Sequence, residues 1–144
     1  GADTVTTEEF WTTTCDVMIP AALALAIDGA IAEKLDAKLV VEAANGPTSE
    51  AADKVFAERE IPVVPDILAN AGGVTASYFE WVQNRQGYPW TAQEVATRLH
   101  DNMHNAFESV HDKTLELGVS MRRASMALGV ERVGEAIIDR GFRF

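Results

Sequence analysis

The sequence is short of cysteine, of positive charge and of long apolar runs, and each shortage removes a class of protein. One cysteine in 144 residues, Cys15, excludes an intrachain disulfide framework and fits a reducing compartment. Lys and Arg number 12 against 22 Asp and Glu, a formal net charge of −10. Nucleic acid and anionic membrane surfaces both require a basic face, so neither is expected as a partner. The most continuous apolar stretch, Val17 to Ile27, contains Pro20 and has about half the length a membrane span needs. Asp3, Glu8, Glu9 and Asp16 precede it, where a secretory signal would carry basic residues. The expected location is cytoplasmic. The ten glycines (1, 29, 46, 72, 73, 87, 118, 129, 134 and 141) nowhere form Gly-x-Gly-x-x-Gly, so a pyrophosphate-binding turn is missing as well.

What is present is enough apolar material for a core. A chain of this length is one domain's worth, or a piece of a larger one. Three short apolar runs punctuate the first half: Cys15 to Ile19, Leu39 to Ala43 and Ile61 to Val64. Helix-like segments fill the gaps. Runs without in/out alternation, separated by helices, predict parallel strands buried on both faces. Thr6 and Glu9 are spaced as a capping box before the first run, and Thr48 is placed to cap the helix carrying Val55 and Phe56.

After Pro65-Asp66 the pattern becomes helical. Val74 to Gln83 is rich in aromatics and ends near Gly87 to Pro89. Thr91 and Glu94 form a second capping box. The stripe Val95, Leu99, Met103, Ala106, Val110 and Leu117 then runs to a stop at Gly118. A last helix over Met121 to Asp139 would turn Ala124, Leu128, Val133 and Ile137 inward, interrupted or kinked near Gly129. The predicted fold class is α/β: about three parallel strands with interleaved helices, then C-terminal helices.

In an open parallel sheet, ligands bind beyond the carboxyl ends of the strands. The first exit is Pro20-Ala21-Ala22, the second Ala43-Ala44-Asn45-Gly46-Pro47, and the third Asp66 followed by Asn70-Ala71-Gly72-Gly73-Val74. Small residues let a flat ligand approach the backbone, and Asn amides offer both donor and acceptor. The same residue types also make ordinary turns, so spacing alone does not assign a ligand.

Three blocks carry a more specific signal: Cys15-Asp-Val-Met-Ile-Pro-Ala-Ala22, Val41-Glu-Ala-Ala-Asn-Gly-Pro-Thr48, and Pro65 through Trp81 with Ala-Asn-Ala-Gly-Gly-Val-Thr-Ala-Ser at its centre. In order and spacing the sequence resembles the glutamate dehydrogenase family over essentially its whole length. The resemblance implies a partial Rossmann-like domain, with residues 1–90 the distal half of an NAD(P)-binding domain and residues 91–144 a helical segment packing on it. It implies oxidative deamination of L-glutamate to 2-oxoglutarate and ammonia, with NAD or NADP as cofactor. By the same resemblance, Ala21 and Ala22 lie beside the dinucleotide and Asn45 and Asn70 at its nicotinamide-ribose end. Val74 would line the substrate pocket, and Ser77 would bond the glutamate side-chain carboxylate. Ser77 favours glutamate over a branched-chain substrate.

The family's catalytic lysine has no counterpart motif around Lys34, Lys38, Lys54 or Lys113, so no catalytic residue is expected in this chain. The expectation is a C-terminal fragment, inactive alone, self-associating where a half-sheet is left open, and part of a homo-oligomer in the full enzyme. The rival is a stand-alone, non-catalytic module serving assembly or regulation. His100, His104, Glu108 and His111 share a helical face, but boundary positions commonly carry such residues, and no metal site is expected. Phe10, Trp11, Phe79, Trp81 and Trp90 are expected to pack rather than to stack on a ligand.

Overall fold

The computed structural model describes residues 4–141. They form two compact units that divide between Asn70 and Ala71. In the first unit the elements are α1 (Thr7–Thr12), β1 (Cys15–Met18), α2 (Gly29–Lys34), β2 (Ala37–Val41), α3 (Glu50–Glu58), β3 (Val63–Val64) and α4 (Asp66–Ala69). The strands are parallel in the order β1-β2-β3, with Val17 opposite Leu39 and Val40 opposite Val63. This is the α/β architecture that the alternation of apolar runs and helices predicts.

Local chemistry explains the helices. The Thr6 hydroxyl accepts from the Glu9 N–H while the Glu9 carboxylate accepts from the Thr6 N–H at 2.7 Å, a complete capping box for α1. Asp28 caps α2 by accepting from the Ile31 N–H at 2.8 Å. The cap of α3 is Ser49, which accepts from the Ala52 N–H at 3.2 Å, and not the expected Thr48. Thr48 pairs with Ile27 in an isolated parallel bridge outside the sheet, and its hydroxyl is buried.

Burial centres on the middle strand. Val40, Ile27, Leu35, Ala32, Ala52 and Phe56 are almost completely buried, with Met18 and Ala37 beside them. β1 departs from the expected burial on both faces: Cys15 is half-buried, and Asp16 and Val17 are exposed. The reason is position, since β1 is an edge of the three-stranded sheet.

The second unit comprises α5 (Ala71–Gln86), α6 (Ala92–Leu117) and α7 (Met121–Asp139). The Thr91–Glu94 capping box opens α6, and Gly118 at φ 61° closes it by donating its N–H to the Thr114 carbonyl. Val110 is buried on the expected stripe and Val95, Leu99, Met103 and Ala106 are half-buried, while Leu117, in the last turn, is exposed. α7 runs through Gly129 without the interruption expected there as one of two outcomes. Ala124 is buried, but Val133 is 61% exposed. Nine residues at 100° per residue place Val133 roughly 180° from Ala124. Lys113 joins α6 to α7 through Glu131 at 3.1 Å and also pairs with Glu116 at 3.0 Å. Among the described residues no helix is long and apolar enough to cross a membrane.

Candidate functional site

The three strand exits of the first unit are laced together by hydrogen bonds. After β1, the Pro20 carbonyl accepts from the N–H groups of Ala43 at 3.1 Å and Ala44 at 2.8 Å. The Leu25 N–H donates to the Gly46 carbonyl at 2.8 Å, and the Ile27 N–H to the Pro47 carbonyl at 2.9 Å. Between the second and third exits, the Asp66 carboxylate accepts from the Gly46 N–H at 2.7 Å. The Asp66 N–H in turn donates to Glu42 Oε2 at 2.9 Å.

On this frame Ala21, Ala22 and Asn45 are exposed and Asn70, at the end of α4, is half-buried. Asn45 and Asn70 are 25 residues apart in sequence, yet Asn70 Nδ2 donates to Asn45 Oδ1 at 3.1 Å. Turning the Asn70 amide over puts its Nδ2 3.0 Å from the Ala43 carbonyl and 3.3 Å from that of Glu42. The amides pair again once Asn45 turns with it. Either way, each amide keeps hydrogen-bonding capacity for a hydroxyl or a carboxamide. Gly46, at φ 55°, leaves open space where a side chain would stand, next to Asn45.

The remaining two expected residues belong to the second unit. Val74 is 70% exposed on α5, and Ser77, one turn later on the same face, is also exposed. Ser77 Oγ donates back to the Gly73 carbonyl at 3.2 Å, its resting partner within the helix. Tyr78 and Trp81 continue that face, stacked at 5.8 Å, with the Arg85 guanidinium 5.9 Å from the Trp81 ring. Trp81 and Phe10 are 57% and 48% exposed, yet each packs against a neighbouring ring, Trp81 on Tyr78 and Phe10 edge-on to Trp11 with centroids 5.1 Å apart. Phe79 and Trp90 do pack, with ring centroids 5.6 Å apart.

Glu42 and the long-range bonds of Asp66 are what sequence reading missed. A signal for Glu42 exists: it is an acid inside the apolar run Leu39 to Ala43. Asp66 was legible only as a turn residue, because its bond to Gly46 spans 20 positions. On α6, His100 and His104 stack at 6.1 Å whereas His111 lies against Phe107. Among the described residues no three His, Cys, Asp or Glu side chains converge on a point where a metal could be held.

The NAD-specific glutamate dehydrogenase of Clostridioides difficile is 51% identical over 142 residues, covering 99% of this chain and 34% of that protein. The crystal structure of glutamate dehydrogenase from Peptoniphilus asaccharolyticus superposes with a TM-score of 0.84 at 44% identity, covering 87% of this chain and 32% of that one. A hetero-hexameric glutamate dehydrogenase from Thermus thermophilus gives a TM-score of 0.91 at 32% identity, over 97% of this chain and 34% of that one. The chain thus spans about a third of the length of the relatives it matches. The profile of the Glutamate/Leucine/Phenylalanine/Valine dehydrogenase family matches residues 1–141, and with three strand exits carrying that family's blocks, the chain belongs to it.

Proposed function

We propose that this chain is the part of an NAD-dependent glutamate dehydrogenase that holds the nicotinamide end of the coenzyme and contacts the side chain of the substrate. The whole enzyme would convert L-glutamate to 2-oxoglutarate and ammonia in the cytoplasm. The observation that carries the reading is the Asn45–Asn70 amide pair, joined at 3.1 Å across two strand exits. NAD is favoured over NADP because the 51% identical relative is named NAD-specific.

The residues fit one end of the coenzyme. Ala21 and Ala22 present only methyl groups, Gly46 leaves open space, and the two amides can bond a ribose hydroxyl or a carboxamide. The pyrophosphate has no counterpart turn in this sequence. When bound, the coenzyme supplies the hydride acceptor. Ser77 would rotate from the Gly73 carbonyl to a substrate carboxylate, a charged acceptor worth about 1.5–3 kcal/mol. Val74 would give that substrate an apolar wall.

No lysine stands ready for catalysis. Lys34, Lys38 and Lys54 pair with Glu8, Asp16 and Glu50 at the surface, and Lys113 bridges two glutamates. We infer that the chain alone turns over no glutamate, because no motif around its four lysines resembles the family's catalytic one. We assign residues 1–90 to the distal half of the nucleotide-binding domain and 91–144 to the C-terminal helical segment. The whole enzyme would be a homo-oligomer, and this chain would self-associate through the outer edge of β1.

The test is a chimera in which the upstream two-thirds of the Clostridioides difficile relative precede this sequence. The chimera should reduce NAD with glutamate, and Asn45→Ala should raise its KM for NAD about tenfold, the equivalent of one lost hydrogen bond. A folded chimera that binds glutamate but reduces no NAD would overturn the reading.

A further inference from the structure

We propose that Glu42 is a positioning residue of this site, acting through Asp66 on the Asn45–Asn70 pair. The proposal rests on the coenzyme reading of that pair. Glu42 is 0% exposed, the one acidic side chain in the buried set among the described residues. Burying a carboxyl group is unfavourable unless it is hydrogen-bonded, and for stability alone an apolar residue of similar volume serves as well or better.

Two of its bonds meet at the third strand exit. Glu42 follows β2 directly, and its N–H donates to the Val64 carbonyl, the end of β3, at 3.1 Å. Its Oε2 accepts from the Asp66 N–H at 2.9 Å. That N–H opens α4, a four-residue helix whose N-cap is Pro65 with no side-chain cap. A helix start needs acceptors for its first N–H groups. Here one comes from Glu42, 24 positions upstream, and another from Asp66 itself, which accepts from the Ile67 N–H at 2.8 Å.

Two arms leave Asp66. Its carboxylate holds the Gly46 N–H at 2.7 Å, which fixes the backbone next to Asn45. Its carbonyl accepts from the Asn70 N–H at 2.8 Å, which fixes the other partner. Glu42 thus sets both amides of the pair without touching the ligand they would hold.

The experiment uses the 144-residue chain labelled with nitrogen-15. One readout is the side-chain amide resonances of Asn45 and Asn70 in the free chain; the other is their response to titrated nicotinamide mononucleotide. Glu42→Ala should shift both amide signals and weaken nucleotide binding about tenfold, as loss of one orienting bond does. Glu42→Gln, which keeps an oxygen facing Asp66, should recover both readouts relative to Glu42→Ala. If Glu42→Ala does not fold, Asp66→Ala removes the Gly46 arm at a less buried position and should give the same two changes.

Amide signals unmoved in a folded Glu42→Ala or Asp66→Ala chain would overturn the proposal, as would Glu42→Gln matching Glu42→Ala. Signals that respond to Glu42→Ala in a chain that binds no nucleotide would support the positioning and overturn the coenzyme reading instead.

Discussion

Leu25 sits at φ 55°, a left-handed conformation that β-carbon sterics make unfavourable for leucine. It cannot relax easily, because its N–H is committed to the Gly46 carbonyl at 2.8 Å. Its side chain returns little, being 69% exposed. Asparagine tolerates this conformation, so Leu25→Asn should stabilise the chain by about 1 kcal/mol, read as a higher urea midpoint at unchanged slope. A midpoint that falls would show that the leucine makes contacts worth more than its strain. Ser77 belongs to the same scale. In a full-length chimera, Ser77→Ala should raise the KM for glutamate more than that for norvaline, which has no carboxylate on its side chain to bond. Equal effects on the two substrates would remove the carboxylate role.

At the scale of elements, the ends of helices decide more than their middles. The Glu94 carboxylate accepts from the Thr91 N–H at 2.7 Å and from the Thr91 hydroxyl at 2.8 Å. Those two bonds, the backbone one first, hold the Glu94 pKa below its ordinary 4.5. A lowered folded value means that the box stabilises α6 above the unfolded value and loses that contribution as pH falls through the folded one. Thr91→Ala should therefore cost about 1 kcal/mol near neutral pH, and the cost should shrink in acid, below pH 4.5. Paired denaturation curves across that range check it; a cost independent of pH would mean that the bond from the Thr91 hydroxyl to the Glu94 carboxylate plays no part, since the backbone bond survives the substitution. Lys113 titrates in the opposite sense. Bonds from Glu116 and then Glu131 raise its pKa above 10.5, so the α6–α7 link persists below that value and is lost as pH climbs through the raised one. The capping box was legible in the sequence because its two residues stand three positions apart, whereas the Lys113–Glu131 pair spans 18 and was not. The cap of α3 was not: Thr48 and Ser49 are equivalent candidates until the bridge to Ile27 removes Thr48.

At the scale of the whole molecule, the open edge of β1 matters most. β1 pairs only with β2 among the described residues, and Val17 and Ile19 beside that edge are 44% and 56% exposed. An unpaired strand with apolar neighbours is a template for another chain. Light scattering should find dimers or larger species that dissociate on dilution, and Val17→Lys should shift the population toward monomer. A monodisperse monomer at all concentrations would refute the edge as an association surface. The net charge of −10 limits the size of such species by repulsion, which higher salt should weaken.

The sequence by itself determined the parallel α/β order, the two capping boxes, the Gly118 stop and the family blocks at the strand exits. Each depends on residues within a few positions of one another, or on an apolar period that a local pattern records. Tertiary structure alone decided that Asn45 meets Asn70, that Asp66 reaches back to Gly46, and that the buried Glu42 accepts from the Asp66 N–H. Those bonds join residues 20 to 25 positions apart. No local preference encodes such a pairing: it exists only once packing around Val40 and Phe56 brings the carboxyl ends of β2 and β3 side by side.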